Sequence, residues 1–281
     1  EIRLSLVGSE MCIRDRRYTI YSITDGQPCM DHDRSEGEGL GPQEYTGLKM
    51  EVAQWSAAAA PLLDVPLQGK RVFFVAATLR PETMYGQTNC YVGPKIEYGA
   101  FRINDTDVFI CTERAARNFA YQGIVAERGR VECLARIPGA ALVGTQIRAP
   151  YAVHEQVYVL PMDSVLPTKG TGVVTSVPSD SPDDWANLME LRKKAEFYKI
   201  DPQWAALEPV PVIQAPGYSD MIAADLCAKF KVQSPKDRNA LAEAKDVAYK
   251  QGFYHGTMII GAYKGEPVAE AKAKVQRDMI Q

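Results

Sequence analysis

The apolar run Val72–Ala77 is followed four residues later by Pro81, and no other feature constrains the fold as strongly. A run this short cannot span a membrane and fits a buried strand. Pro81 has no backbone donor and keeps Arg80 out of helical angles, so the strand has to end near it. Thr78, Leu79, Arg80, Glu82 and Thr83 are thereby set down at the end of a packed element. Two readings of that placement are open. One is a strand followed by a polar loop. The other is a site whose hydroxyls, guanidinium and carboxylate are fixed by a rigid strand.

Further strand-like runs lie at Cys90–Val92, Val108–Cys111, Gln156–Leu160 and Val173–Val177, with more strand and turn pieces expected over Val131–Ile147. Their imperfect alternation implies curved strands buried on one or both faces. So many short strands between Arg71 and Ser179 point to a barrel or folded sheet, not a doubly wound one. One helix interrupts them, with Thr112 as its cap, Glu113–Ala120 as its body and Gly123 as its stop. Upstream, Tyr18–Ser22 alternates like a strand and Asp25-Gly26 signals a turn. Leu48–Trp55 reads as a short amphipathic helix, and SAAAAPLLDVPLQG as a linker broken by Pro61 and Pro66. Downstream, Ser181 is an N-cap, Pro182 sits at N1, and Asp184 at N3 completes a capping box. Val210–Ile213 reads as a short strand and Asp220–Phe230 as a helix. Ser234–Asp237 repeats the capping signature before a helix ending ahead of Gly252, and a last helix starts at Pro267. The fold class is therefore mixed α/β, with a barrel-like β core and peripheral helices.

Charge and cysteine usage exclude several functions. The net charge of −3 over 281 residues argues against a coat for nonspecific nucleic-acid binding, so any RNA contact has to be local. The six cysteines form no CxxC pair, which leaves a zinc site little support. Cys90 and Cys111 lie in apolar runs and read as buried thiols. A reducing, cytoplasmic compartment fits that usage. Asp31-His32-Asp33 reads as a polar loop, since no second ligand cluster accompanies it. Gly37, Gly39 and Gly41 follow no strand and precede no Lys-Ser/Thr, so they are not a P-loop. His255 stands alone, and no GxSxG or Cys/His pairing supports a covalent hydrolase.

The segment ATLRPETMYGQTNCYVGP resembles the threonine-rich motif of the editing domain in cytosolic, eukaryotic-type leucyl-tRNA synthetases. Valyl enzymes have a similar motif with a second threonine where Leu79 stands, and GDT in place of the QTNC beginning at Gln87. Two more segments are similar to the same family: TERAARNFAYQG, and GTGVVTSVPSDSPDD from Gly170. Tyr85 and Tyr91 stand where the family often has Phe and Trp. The likeness runs through nearly everything after residue 16, whereas residues 1–16 read as a non-native leader. It implies a class I aminoacyl-tRNA synthetase editing-domain fold. Residues 17–66 would then lead from the catalytic core, 67–252 would form the editing domain, and 253–281 would return toward the core.

The resemblance also implies roles. Asp184 pairs with a substrate amine, in competition with its reading as a helix cap. Thr78 and Arg80 line the scissile ester and position water, Thr83 shapes the side-chain pocket, and Leu79 contacts substrate. Gly170, Thr171 and Gly172 admit the terminal nucleotide, Thr175 and Val177 form a wall, and Asp180 contacts substrate. The implied activity is hydrolysis of mischarged leucine tRNA, with its 3′ end and the parent catalytic core as partners. No metal or cofactor is implied for editing. ATP belongs to the full-length synthetase, and both of its binding signatures, HIGH-like and KMSKS-like, are absent from this sequence. The chain therefore reads as an internal fragment that does not activate leucine.

Overall fold

A computed structural model describes residues 21–22, 26–28 and 44–280. The chain divides into two compact units at Tyr45/Thr46. In the first, strands β1 (Tyr21–Ser22) and β2 (Gln27–Pro28) pair antiparallel around Gly26, whose φ of 68° suits the turn read from Asp25-Gly26. Residues 1–16, Asp31–Asp33 and Gly37–Gly41 lie outside the described residues.

The second unit is built on a nine-stranded mixed sheet. Its strands are β3 (Thr46–Gln54), β4 (Arg71–Thr78), β5 (Asn89–Val92), β6 (Glu97–Arg102), β7 (Asp107–Cys111), β8 (Glu132–Pro138), β9 (Gln146–Arg148), β10 (Gln156–Pro161) and β11 (Val173–Ser176). The order is β11-β5-β10-β9-β3-β4-β7-β6-β8. The sheet is folded but open: among the described residues its edge strands β11 and β8 do not pair, although β11 packs back against β4. Helices line its periphery: α1 (Ala60–Leu63), α2 (Glu113–Tyr121), α3 (Gly139–Leu142), α4 (Pro182–Lys193), α5 (Ala195–Tyr198), α6 (Ile222–Lys229), α7 (Arg238–His255) and α8 (Val268–Met279). Strands β12 (Ile213–Gln214) and β13 (Thr257–Met258) pair separately.

Strand β4 sits inside the sheet, antiparallel to β3 and parallel to β7. Both its faces are covered. Val72, Phe74 and Ala76 enter the main core, while Phe73 and Val75 pack with Ile103 and Phe109. That double burial explains why the run is apolar without strict alternation.

Leu48–Trp55 is not a helix. It lies mostly in β3, with Leu48 and Met50 buried and Lys49 exposed, a two-residue period set by pairing with β4. The expected linker is also structural: it contains α1, and its Ala59, Leu63 and Leu67 belong to the main core. Sheet packing therefore begins at Thr46, and α7 runs through Gly252 to His255.

Two helix caps also differ from expectation. Thr112 occupies the N-cap of α2 but makes no capping hydrogen bond, and its buried hydroxyl has no partner. Ser234 does not cap α7. Asp237 does occupy that position, and its carboxylate accepts the N–H groups of Gln233 and Ser234.

Candidate functional site

The end of β4 is locked by the backbone of Arg80. Thr78 Oγ1 accepts the Arg80 N–H at 3.0 Å, and Thr83 Oγ1 donates to the Arg80 carbonyl at 2.9 Å. Pro81 then starts a 3₁₀ segment, Pro81–Gly86. The two hydroxyls are left with different capacities. Thr78 keeps its own hydrogen to donate, whereas Thr83 has spent its hydrogen and can only accept. Thr83 is 3% exposed, so it belongs to the packed wall of the turn.

The second segment reaches the same place by way of β11, which pairs antiparallel with β5. Thr88 N–H donates to the Ser176 carbonyl, and Val177 packs beside Gly86. A Cβ at Gly86 would lie 2.5 Å from Val212 Cγ2 and 2.9 Å from the Val210 carbonyl, so glycine lets the turn pack closely on residues 210–212. Past Val177 the chain turns into α4. Ser181 caps this helix, accepting the Asp184 N–H at 3.4 Å. The reciprocal arm of the expected capping box is absent. Ser181 N–H donates to the Val177 carbonyl, and the Asp184 carboxylate accepts the Val177 N–H at 2.9 Å.

Asp184 is 7% exposed, and burial pushes its carboxyl up to about 7, with the Val177 hydrogen bond pulling the other way. A buried carboxylate with acceptor capacity beyond one N–H is suited to an ammonium group. Asp180 is buried as well and is pushed up to about 6, against the pull of Arg80. Ser179 Oγ donates to one of its oxygens at 2.6 Å, and the other has no protein partner.

Arg80 turns away from the two threonines. Its guanidinium lies 3.4 Å from Glu82 Oε1 and 4.6 Å from the centre of the Tyr249 ring in α7, and it reaches the Asp180 carbonyl at 3.5 Å. Glu82 is fully buried, and burial pushes its carboxyl upward despite that pairing. For Arg80, burial works to lower the pKa, but Glu82, Tyr249 and Asp180 outweigh it and the guanidinium stays charged. Arg80 is thus a brace between the turn and α7.

Thr78, Arg80 and Thr83 are joined at the turn, Arg80 reaches the Asp180 carbonyl, and Val177 is joined to Asp184. Thr175 is half-buried on β11, and Leu79 is exposed. Gly170, Thr171 and Gly172 sit at the opposite end of β11 and serve its packing on α2. Thr112 N–H donates to the Thr171 carbonyl, and a Cβ at Gly172 would come within 2.4 Å of the Thr112 methyl. Sequence reading missed Tyr249, which completes the brace. The signal lay in the spacing of Lys245, Tyr249 and Phe253, four residues apart on one helix face. Among the described residues no group of three or more His, Cys, Asp or Glu could hold a metal ion.

No protein-family profile matches the chain. Curated relatives do. It is 62% identical over 266 residues to the "Putative leucine--tRNA ligase, cytoplasmic" of Schizosaccharomyces pombe, covering 94% of this chain and 24% of that protein. It is 52% identical over 267 residues to the "Leucine--tRNA ligase, cytoplasmic" of Saccharomyces cerevisiae, with the same coverage. The chain spans about a quarter of the length of these relatives. Among solved structures, "GlLeuRS-CP1" matches with a TM-score of 0.80 and 34% identity over 85% of this chain and 97% of that one. The cytosolic leucyl-tRNA synthetase editing domain of P. falciparum matches with a TM-score of 0.75 and 25% identity, at the same coverage.

Proposed function

The chain belongs to the leucyl-tRNA synthetase family as its CP1 editing domain, and from that premise we propose that it hydrolyses the ester joining a misplaced amino acid to the 3′ adenosine of leucine tRNA. The observation that carries this reading is the Asp184 carboxylate, buried and held by the Val177 N–H, at the end of a turn whose Asp180 carbonyl meets Arg80. It offers an anionic anchor for an α-ammonium group within a site that otherwise presents hydroxyls.

The need for such a site is physical. A pocket for leucine discriminates poorly against amino acids differing by one methylene, worth about 1–3 kcal/mol, so rejection takes a second, hydrolytic step. Norvaline, isoleucine and methionine are the side chains of the right size. Asp184 fixes the amine, which places the ester against Thr78. The Thr78 hydroxyl, still able to donate, polarises the carbonyl or orients water. Asp184 is engaged by the Val177 N–H and the amine, so the attack rests on positioning, with a ribose hydroxyl assisting the water. Arg80 acts through its backbone, which holds both threonines, and Leu79, Thr175 and Asp180 complete the surroundings. Gly170–Gly172 set the far end of β11 and, through it, the position of Val177. Editing needs no metal or cofactor, and ATP serves only the aminoacylating core. That core and the tRNA are the partners, and the compartment is the cytoplasm, as for the relatives named above.

Deacylation of isoleucyl- and leucyl-tRNA by the chain tests the proposal. Hydrolysis of the mischarged species alone supports it. Loss of neither ester, in a folded chain shown to bind tRNA, leaves only a module for the tRNA end.

A further inference from the structure

A cavity of about 530 Å³ opens beside the turn, between Leu79 and Arg80 on one side and α7 and α8 on the other. That is within the roughly 300–1,000 Å³ of ligand sites. The ester chemistry leaves it unused. Its wall carries four cationic side chains, one carboxylate and three aromatic rings. Lys245 is held by Asp183 at 2.7 Å. Lys250 is paired with Asp246 at 2.8 Å, but that is an exposed i,i+4 pair of small energy, which a phosphate oxygen can displace. Lys272 makes no salt bridge among the described residues; its ammonium lies 5.2 Å from the centre of the Phe253 ring. Tyr254 is 69% exposed, and its ring meets that of Phe253 edge-on at 5.0 Å.

An exposed ring set among lysines, with two half-buried rings beneath, suits a single nucleic-acid strand, the ring for base stacking and the lysines for phosphates. An apolar peptide is a poor occupant, because covering these lysines strips their water without supplying a counter-charge. The chain is net acidic, so a strand has to find its cations in a local cluster such as this one. We infer that this groove is the track of the single-stranded RNA just upstream of the terminal adenosine, with a base on Tyr254 and phosphates on Lys250 and Lys272. The inference rests on the editing reading, which supplies the 3′ end.

The test is anisotropy of a 5′-labelled short single-stranded RNA ending in CCA, titrated with the chain and with Tyr254→Ala, Lys272→Glu and Phe197→Ala. Phe197 is an exposed ring outside the groove and serves as the control. Thermal unfolding checks that each variant is folded. The expected result is a loss of affinity of about tenfold or more for Tyr254→Ala and Lys272→Glu, and none for Phe197→Ala. The salt dependence of binding falls for Lys272→Glu and stays for Tyr254→Ala. No binding by the unaltered chain, or equal affinity in all the folded variants, overturns the groove. Deacylation separates the two ideas. RNA binding that is sensitive to Tyr254, in a chain that hydrolyses no mischarged ester, sinks the editing reading and keeps the groove.

Discussion

Asp184 and Val177 are joined by a hydrogen bond of 2.9 Å from the Val177 N–H to the Asp184 carboxylate. The bond ties the start of α4 back to the end of β11, so the carboxylate fixes the turn that in turn aims it. A helix cap alone would leave that carboxylate pointing at its own helix end. Here it is turned back onto the Val177 N–H at the end of β11, and it keeps acceptor capacity that an amine can share.

Asp184→Asn and Asp184→Ala separate these duties. Asparagine keeps an acceptor for the Val177 N–H and loses the charge. Alanine also strands that N–H in a buried turn, at a cost of about 1–3 kcal/mol. Both variants are expected to lose deacylation, whereas only alanine lowers the unfolding free energy by that amount. Denaturant unfolding and single-turnover deacylation, run on both proteins, check it. Full activity in the asparagine variant sinks the amine-anchor role.

Stability should fall as pH rises across the acidic range. Asp184 titrates near 3.9 when unfolded and at about 7 when folded. Between those values the folded chain holds a proton that the unfolded chain lacks, so unfolding free energy decreases with pH. The contribution is whole below about pH 4 and lost as pH passes about 7. Asp180, at about 6, acts in the same direction over a narrower window. Melting temperatures measured across that range should slope less steeply in Asp184→Asn. Parallel slopes in the two proteins reject the buried-acid account.

Tyr249 holds Arg80 from α7. A desolvated cation–π contact contributes up to about 2 kcal/mol, and the Arg80 backbone carries both threonines. Tyr249→Ala should therefore lower stability by about 1–2 kcal/mol and slow deacylation, whereas Tyr249→Phe keeps the ring and restores both. Comparing kcat/KM for the two variants is decisive: if phenylalanine does no better than alanine, the ring is not the brace.

Strand β4, the stop at Pro81 and the N-cap at Ser181 were legible because each is written locally: an apolar run, a missing donor, a hydroxyl before a helix. Leu48–Trp55 misled because a short apolar-polar mixture satisfies either period, and the pairing with β4 decides which. The partner of Asp184 was hidden because it depends on a turn between strand and helix, not on the three-residue spacing of a box. The role of Arg80 at the ester came from the resemblance, which says nothing of where its side chain packs. That side chain packs on Tyr249, more than 160 residues away in sequence, which no local pattern reveals.

Thr83 carries the selectivity prediction. Its hydroxyl is fixed on the Arg80 carbonyl at 2.9 Å, and its branched Cβ allows few rotamers, so its methyl has one position. A small wall of fixed position can exclude the branched tip of leucine and admit other side chains. Thr83→Ala removes the wall, and correctly charged leucyl-tRNA is then expected to become a substrate. Because the residue is buried, the same change costs about 0.5–1.5 kcal/mol through the lost hydrogen bond. Thr83→Val isolates shape from bonding. It preserves the branch and loses the donor, so it should pay the stability cost yet still spare leucyl-tRNA. Thr83→Tyr should fill the space and stop hydrolysis of mischarged tRNA as well. Side-by-side deacylation of leucyl- and isoleucyl-tRNA, with unfolding measured on each variant, reads both effects. If Thr83→Ala hydrolyses isoleucyl-tRNA normally and leaves leucyl-tRNA intact, the discriminating wall lies elsewhere. If Thr83→Val hydrolyses leucyl-tRNA as alanine does, the hydroxyl and its bond to Arg80 set the selectivity, not the branch.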